Sequence, residues 1–163
     1  MREVAFLLLG MLVGLLPPWF ARKRRLKTHW SALRAEVVLC SERATTIFTS
    51  EPLVMAPLYR LPLLTYQVSF PILLGDGAVS EAEVRALGLF FAQVQDINRG
   101  LDNAAEMHKS DKLAKLEMEF SRNCLKARAL VEAQGEEQSL YGQALAIVER
   151  KANQPWWRYA DNA

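Results

Sequence analysis

The sequence predicts an all-α protein, with an N-terminal single transmembrane helix and then an antiparallel bundle of about four helices. An irregular, proline-rich apolar connector interrupts the bundle. Three observations predict this. Val4 to Ala21 is a run of eighteen uncharged residues, followed at once by five cations within 22–27. Beyond them, apolar residues recur at spacings of three and four, the period of one helix face. No segment alternates apolar and polar residues as a half-buried strand would.

The run VAFLLLGMLVGLLPPWFA has the length for a membrane span. At about 1.5 Å per residue a helix of that size covers roughly 27 Å, close to the hydrocarbon thickness of about 30 Å. Trp19 and Phe20 stand where aromatic rings favour the headgroup level. A cleavable secretion signal would carry its cations before the apolar core and small residues at a cleavage site. Here only Met1-Arg2-Glu3 precedes the core, and Arg22, Lys23, Arg24, Arg25 and Lys27 follow it. A buried helix of a soluble protein would leave that basic run stranded at its end. Pro17-Pro18 falls in the last turn, where a helix can stop. The expected organisation is an anchor at 1–21, a basic juxtamembrane collar at 22–27 and a helical domain at 28–163. Cations stay on the cytoplasmic side, so the chain is expected N-out and C-in, with its bulk in the cytoplasm and a bacterial inner membrane as its site. Trp19, Arg22, Lys23, Arg24, Arg25 and Lys27 are then the membrane-interface residues.

Within the anchor, Gly10 and Gly14 form a GxxxG patch where a second helix can approach closely. A homodimer is one expected assembly and a different protein partner another, with lipid as the constant neighbour. Nucleic acid is not an expected partner. Residues 28–163 carry 14 basic against 17 acidic residues, a net of −3, so the positive charge is confined to the collar and does not lie on the folded surface.

The helices follow in order. From His29 to about Thr49, Leu33, Val37, Cys40, Ala44 and Ile47 mark an apolar face, with Arg34, Glu36, Glu42 and Arg43 opposite. No glycine or proline separates Trp19 from Ser50, so this helix can continue from the anchor until Glu51-Pro52 ends it. Leu53–Gly75 has one charge, Arg60, and prolines at 57, 62 and 71. Those prolines exclude a continuous span and a central strand. The expectation is a buried connector of short helical pieces, and the alternative a segment dipping into the bilayer face. Gly75-Asp76-Gly77 is a turn, and Ser80 with Glu83 forms a capping box for a helix to about Arg99. That helix should bury Val84, Leu87, Phe91, Val94 and Ile97, with Phe90 on the flank and Gly100 as its stop. A third helix is expected over 101–133, with a seam of Leu113, Leu116, Phe120, Cys124, Ala127 and Val131 and a possible break at His108–Lys112. A fourth runs from about Glu137 to Ala152 through Leu140, Tyr141, Leu145 and Val148.

The chemistry-bearing residues point to no reaction, cofactor or metal. "GDG" lacks the spacing and the lysine of a phosphate loop. The two cysteines and two histidines are far apart in sequence, and Glu106-Met107-His108 cannot place both groups on one helix face. His29 is expected at headgroups or solvent. Cys40 and Cys124, on apolar faces, read as small buried hydrophobes. Asp96–Asp102 packs acids, an arginine and an asparagine where a helix end is expected, which suits an ion-pair cluster. Trp156, Trp157, Arg158 and Tyr159 beyond Pro155 suit a headgroup interface, a bundle cap or a partner contact. The expected function is a membrane-anchored, non-catalytic helical module that docks a partner at the cytoplasmic membrane face. The alternative is a membrane-surface enzyme or lipid-handling protein, with 53–75 and the aromatic tail forming its groove.

Overall fold

A computed structural model of the chain describes residues 2–49, 60–110, 113–133, 138–155 and 158. Side chains at 2–9, 11–13, 15–16 and 113 lie outside that description. Among the described residues there are five helices and no strand: α1 (Arg2–Thr49), α2 (Leu64–Gly75), α3 (Glu81–Lys109), α4 (Leu113–Val131) and α5 (Leu140–Asn153). Among them no helix is long and apolar enough to cross a membrane. The predicted anchor falls mainly on residues whose side chains are not described.

The apolar face read from 29–49 is the centre of the core. Leu33, Val37, Cys40 and Ala44 are fully buried and Ile47 nearly so. Trp30 extends that face by one turn. Pro17 and Pro18 do not end the helix as the sequence reading allowed; both lie inside α1, which is continuous over 48 residues. Each proline removes one backbone donor and crowds the carbonyl one turn back, a local cost that α1 bears without ending.

α1 and α3 occupy opposite corners of a four-helix arrangement, and α4 and α5 fill the other two. Residue pairings give the directions. Asp96 of α3 meets Lys126 of α4, and Gly100 meets Asn123, so these helices are antiparallel. α5 also opposes α3, since Glu83 pairs with Arg150 while Gln93 faces 138–143. α2 is a short strut laid antiparallel on α1, with Thr65 and Tyr66 at Glu36, Ser69 at His29 and Asp76 at Arg22.

The connector therefore divides. Its part at 53–59 lies outside the described residues, and 64–75 is a regular helix carrying Pro71 within it. This helix is apolar on its exposed side as well as on its buried one. Phe70 and Leu73 are buried while Leu64, Val68 and Leu74 are exposed. Tyr66 stacks on both Phe70 and Phe91, with ring centroids 4.9 and 4.0 Å apart, and burial raises its phenol pKa. Phe90, expected on the flank, is fully buried and meets Phe91 edge to face at 5.0 Å. The α2–α3 turn closes α2 with a Schellman pattern, in which Ala78 N–H donates to Leu73 O and Gly77 N–H to Leu74 O. Gly77 takes φ 65° there, a conformation that suits glycine.

The capping box at Ser80 is formed: Glu83 N–H donates to Ser80 Oγ at 3.4 Å and Ser80 N–H to Glu83 Oε2 at 2.8 Å. Gly100 does not stop α3, which runs on to Lys109 and turns at Ser110. The helix break falls within His108–Lys112, so α4 begins at Leu113. Gly100 serves close packing instead. A Cβ there would collide with the Asn123 side-chain amide. Asn123 is fully buried, and neither polar atom of its side chain has a partner among the described residues. Gly100→Ala should therefore cost about 1–3 kcal/mol by overpacking, despite alanine's better helix propensity. In an Asn123→Ala background the same change should become neutral or stabilising. Urea midpoints of the four variants check this. An equal Gly100→Ala penalty in both backgrounds would locate the clash elsewhere.

Candidate functional site

The groups that carry charge and exposed aromatic surface gather at one end of the bundle. α1 brings the collar there, the α2–α3 turn brings Asp76, and α5 brings Arg150 and Lys151. Arg22 Nε donates to Asp76 Oδ1 at 3.0 Å, and Arg25 Nη2 to Asp76 Oδ2 at 3.2 Å. Arg22 Nη2 also donates to the Asp76 carbonyl at 3.0 Å. Both arginine side chains remain more than half exposed, so each pair contributes little stability by itself. Their effect is positional, because they hold the turn against the collar.

The other collar residues differ among themselves. Lys23 is only 3% exposed, with its ammonium 3.9 Å from the centre of the Trp19 ring. The sequence placed Lys23 among the membrane-interface residues; its side chain is packed, because a lysine stem can bury apolar length while its head meets a ring face. Arg24 is exposed and Lys27 half-buried. Trp19 and Phe20 are both exposed and meet edge to face at 5.0 Å. Gly10 and Gly14 are exposed, with no atom within 4 Å of where a Cβ would stand.

His29 is half-buried between α1 and α2. Its Nδ1 lies 3.0 Å from Ser69 Oγ, tying α1 to α2. Higher on α1, Glu36 was read onto the polar face but is 5% exposed. Its carboxylate accepts from Thr65 N–H at 2.8 Å and Tyr66 N–H at 2.6 Å.

The second charged centre joins α3, α5 and α1. Glu83 accepts from Arg150 Nη2 at 2.5 Å and from Lys151 Nζ at 3.2 Å, in addition to the Ser80 N–H. Lys151 also donates to Ala78 O at 3.1 Å and lies 5.5 Å from the Trp30 ring centre. Burial acts to raise the Glu83 pKa, but the Ser80 N–H and the Lys151 ammonium outweigh it and hold the carboxyl below its ordinary 4.5. An open cleft of ≈ 720 Å³ adjoins this pair, with Arg158 on its rim. Searches of family models, curated proteins and solved structures return no match to the chain.

No nucleophile stands out in this geometry. Cys40 donates to Pro62 O at 3.2 Å, and burial, reinforced by Glu36, pushes its thiol far up. A thiol so held does not ionise near neutral pH. Cys124 is half-buried against Ile47 O, and burial raises its pKa too. Asp96–Asp102 is a fastening within α3, not at a helix end. Asn98 Oδ1 accepts from Leu61 N–H and its Nδ2 donates to Leu61 O, at 2.8 and 2.9 Å. Asp102 pairs with Arg60 and Asp96 with Lys126. No cluster of metal-ligating side chains occurs among the described residues. Trp156, Trp157 and Tyr159 lie outside the described residues; Arg158 is exposed. Sequence reasoning missed Arg150 and Lys151. They look like ordinary cations in a last helical turn, and only the approach of α3 gives them a shared carboxylate.

Proposed function

We propose that the chain is a single-pass, membrane-anchored interaction module, N-out and C-in, whose helical domain presents a docking surface at a fixed height above the cytoplasmic membrane face. The observation that carries this reading is the continuity of α1. One helix contains both the apolar run at 4–21 and the central core element of the bundle. No hinge of loop residues separates them, so whatever holds the first segment also orients the domain. The Arg22 and Arg25 contacts to Asp76 add a second tie at the level of the collar.

The docking surface has support in α2. Leu64, Val68 and Leu74 are exposed on a helix that carries no charged residue. α2 lies along α1, so this face stands beside the anchor axis, and Leu64 lies opposite the α1 turn that carries Glu36, some fifteen residues beyond Ala21, or roughly 22 Å. Such a face suits a protein neighbour, either a partner or a second copy. Gly10 and Gly14, exposed on α1, suit the same kind of contact within the bilayer. Of the α4 seam, Phe120 and Ala127 are buried within the chain, so the glycine patch is the better support for a dimer. The alternative reading, an enzyme or lipid handler, has only the exposed apolar residues of α2 in its favour.

The test is topological. The mature chain should retain Met1–Ala21 by intact mass, resist alkaline extraction from membranes, and give activity with a C-terminal reporter that works only in the cytoplasm. Replacing Arg22, Lys23, Arg24 and Arg25 by Gln and adding lysines at the N-terminus should invert part of the population. Release by alkali, or a reporter active only outside, would overturn the reading.

A further inference from the structure

The cleft beside Glu83 is charged beyond what the fold requires. Ser80 lies at its α3 side and Gln154 at its α5 side, and among the described residues that line it three cations, Arg150, Lys151 and Arg158, stand with one carboxylate, Glu83. Lys151 is 5% exposed and committed to Glu83 and Ala78 O. Arg150 gives Nη2 to Glu83, yet its side chain is 65% exposed and its remaining N–H groups are available. Among the described residues the Arg158 guanidinium has no ion-pair partner. Two arginine forks around an open space, with polar side chains between them, match the bidentate geometry of a phosphate oxygen pair.

From this geometry we infer that the cleft binds the phosphate of an anionic phospholipid at the membrane surface; the inference rests on the membrane-anchored reading above. Position selects a lipid over a soluble anion. Ala78, which takes the Lys151 ammonium, is two residues past Asp76, which the collar arginines clamp. Trp30, beneath Lys151, is nine residues past Ala21, or about 14 Å along the helix. The headgroup layer itself adds roughly 5–7 Å beyond the hydrocarbon. Extended arginine side chains span the difference. Confinement at the surface also raises the effective concentration of headgroups over that of any free phosphate. The cytoplasmic leaflet is the anionic one, so the orientation that places the domain inside also supplies the ligand.

The probe is the full chain in nanodiscs of phosphatidylcholine with rising phosphatidylglycerol content, read by amide exchange at 78–84 and 150–154. Protection of those amides should grow with phosphatidylglycerol. The content giving half-protection should rise roughly fivefold in Arg158→Gln, and again in Arg150→Gln, the change expected for one cation at an anionic surface. Arg122→Gln should not move it; Arg122 neighbours Asn123, which packs on Gly100, twenty residues along α3 from Ser80. Arg150→Gln also loses a contact to buried Glu83 and can perturb the fold. Arg158 is exposed, so Arg158→Gln decides the matter if the other variant does not fold. Glycerol phosphate added to discs lacking phosphatidylglycerol should give no comparable protection. If it protects as well as the lipid does, the ligand is a soluble anion and the inference fails. Protection independent of phosphatidylglycerol, or unchanged in Arg158→Gln, reduces the cleft to an inter-helix ion pair and also overturns it. A chain that does not incorporate into discs overturns the anchored reading as well. Incorporation without a phosphatidylglycerol effect removes this inference alone.

Discussion

Glu83→Ala should lower the unfolding free energy by about 3–5 kcal/mol, the cost of leaving one member of a buried ion pair unpaired. In the variant Lys151 keeps Ala78 O and the Trp30 ring face but loses the Glu83 carboxylate while 5% exposed. The first turn of α3 also loses the reciprocal half of its capping box, since Ser80 N–H no longer has Glu83 Oε2. The pair joins α3 to α5 across a separation of 68 positions, so hydrogen exchange should rise at both helix ends together. Replacing both members by apolar residues of similar size, Glu83→Leu with Lys151→Met, should recover most of the loss. Equal destabilisation in the single and double variants would show that packing volume, not the charge pair, carries the effect.

The same residue sets a pH dependence. Its folded pKa is depressed, so its contribution to stability is complete above the unfolded value of 4.5 and is lost as pH falls through the lower folded value. The stability gap between the wild type and Glu83→Ala should therefore be widest near neutral pH and narrow on acidification below 4.5. A gap that widens with acid would mean the carboxyl is protonated in the fold and acts as a neutral hydrogen-bond donor.

Local signals were legible wherever the determinant is local. The spacing of Leu33, Val37, Cys40, Ala44 and Ile47 identified the buried face of α1, and all five are 2% exposed or less. Ser80 with Glu83 located the start of α3 because both halves of that cap lie within one turn. Gly100 misled for a complementary reason. A glycine after Asn98-Arg99 resembles a helix stop, and only the position of Asn123, on another helix, reveals that it admits a close neighbour. Pro71 misled similarly, since a proline within a short apolar stretch reads as a break, yet α2 tolerates it on its exposed side. The candidate site was half visible. The collar is a run of adjacent residues and shows itself, whereas Arg150, Lys151 and Arg158 join Ser80 and Glu83 only through the return of α5.

The least legible feature has the second large expected effect. Glu36→Ala should destabilise the chain by about 3 kcal/mol or more, because two hydrogen bonds to a charged acceptor vanish at once. α2 begins without a local cap: Leu63 occupies the N-cap and offers no side-chain acceptor. The N–H groups of Thr65 and Tyr66, which a serine or aspartate at that position would ordinarily receive, go instead to Glu36 on α1. The carboxylate also sits at the positive end of the α2 dipole. One residue thus caps the helix and docks it, so its loss should be felt first in α2. Amide exchange at 65–69 should rise while α3–α4 amides near Asn123 change little, and the urea midpoint should fall. Glu36→Gln separates charge from shape. Its amide offers one acceptor oxygen, so one N–H is left unpaired and roughly half the penalty should remain. An alanine variant within 1 kcal/mol of wild type, with α2 exchange unchanged, would mean that α2 is held by its Tyr66–Phe91 stack and the burial of Phe70 and Leu73 alone.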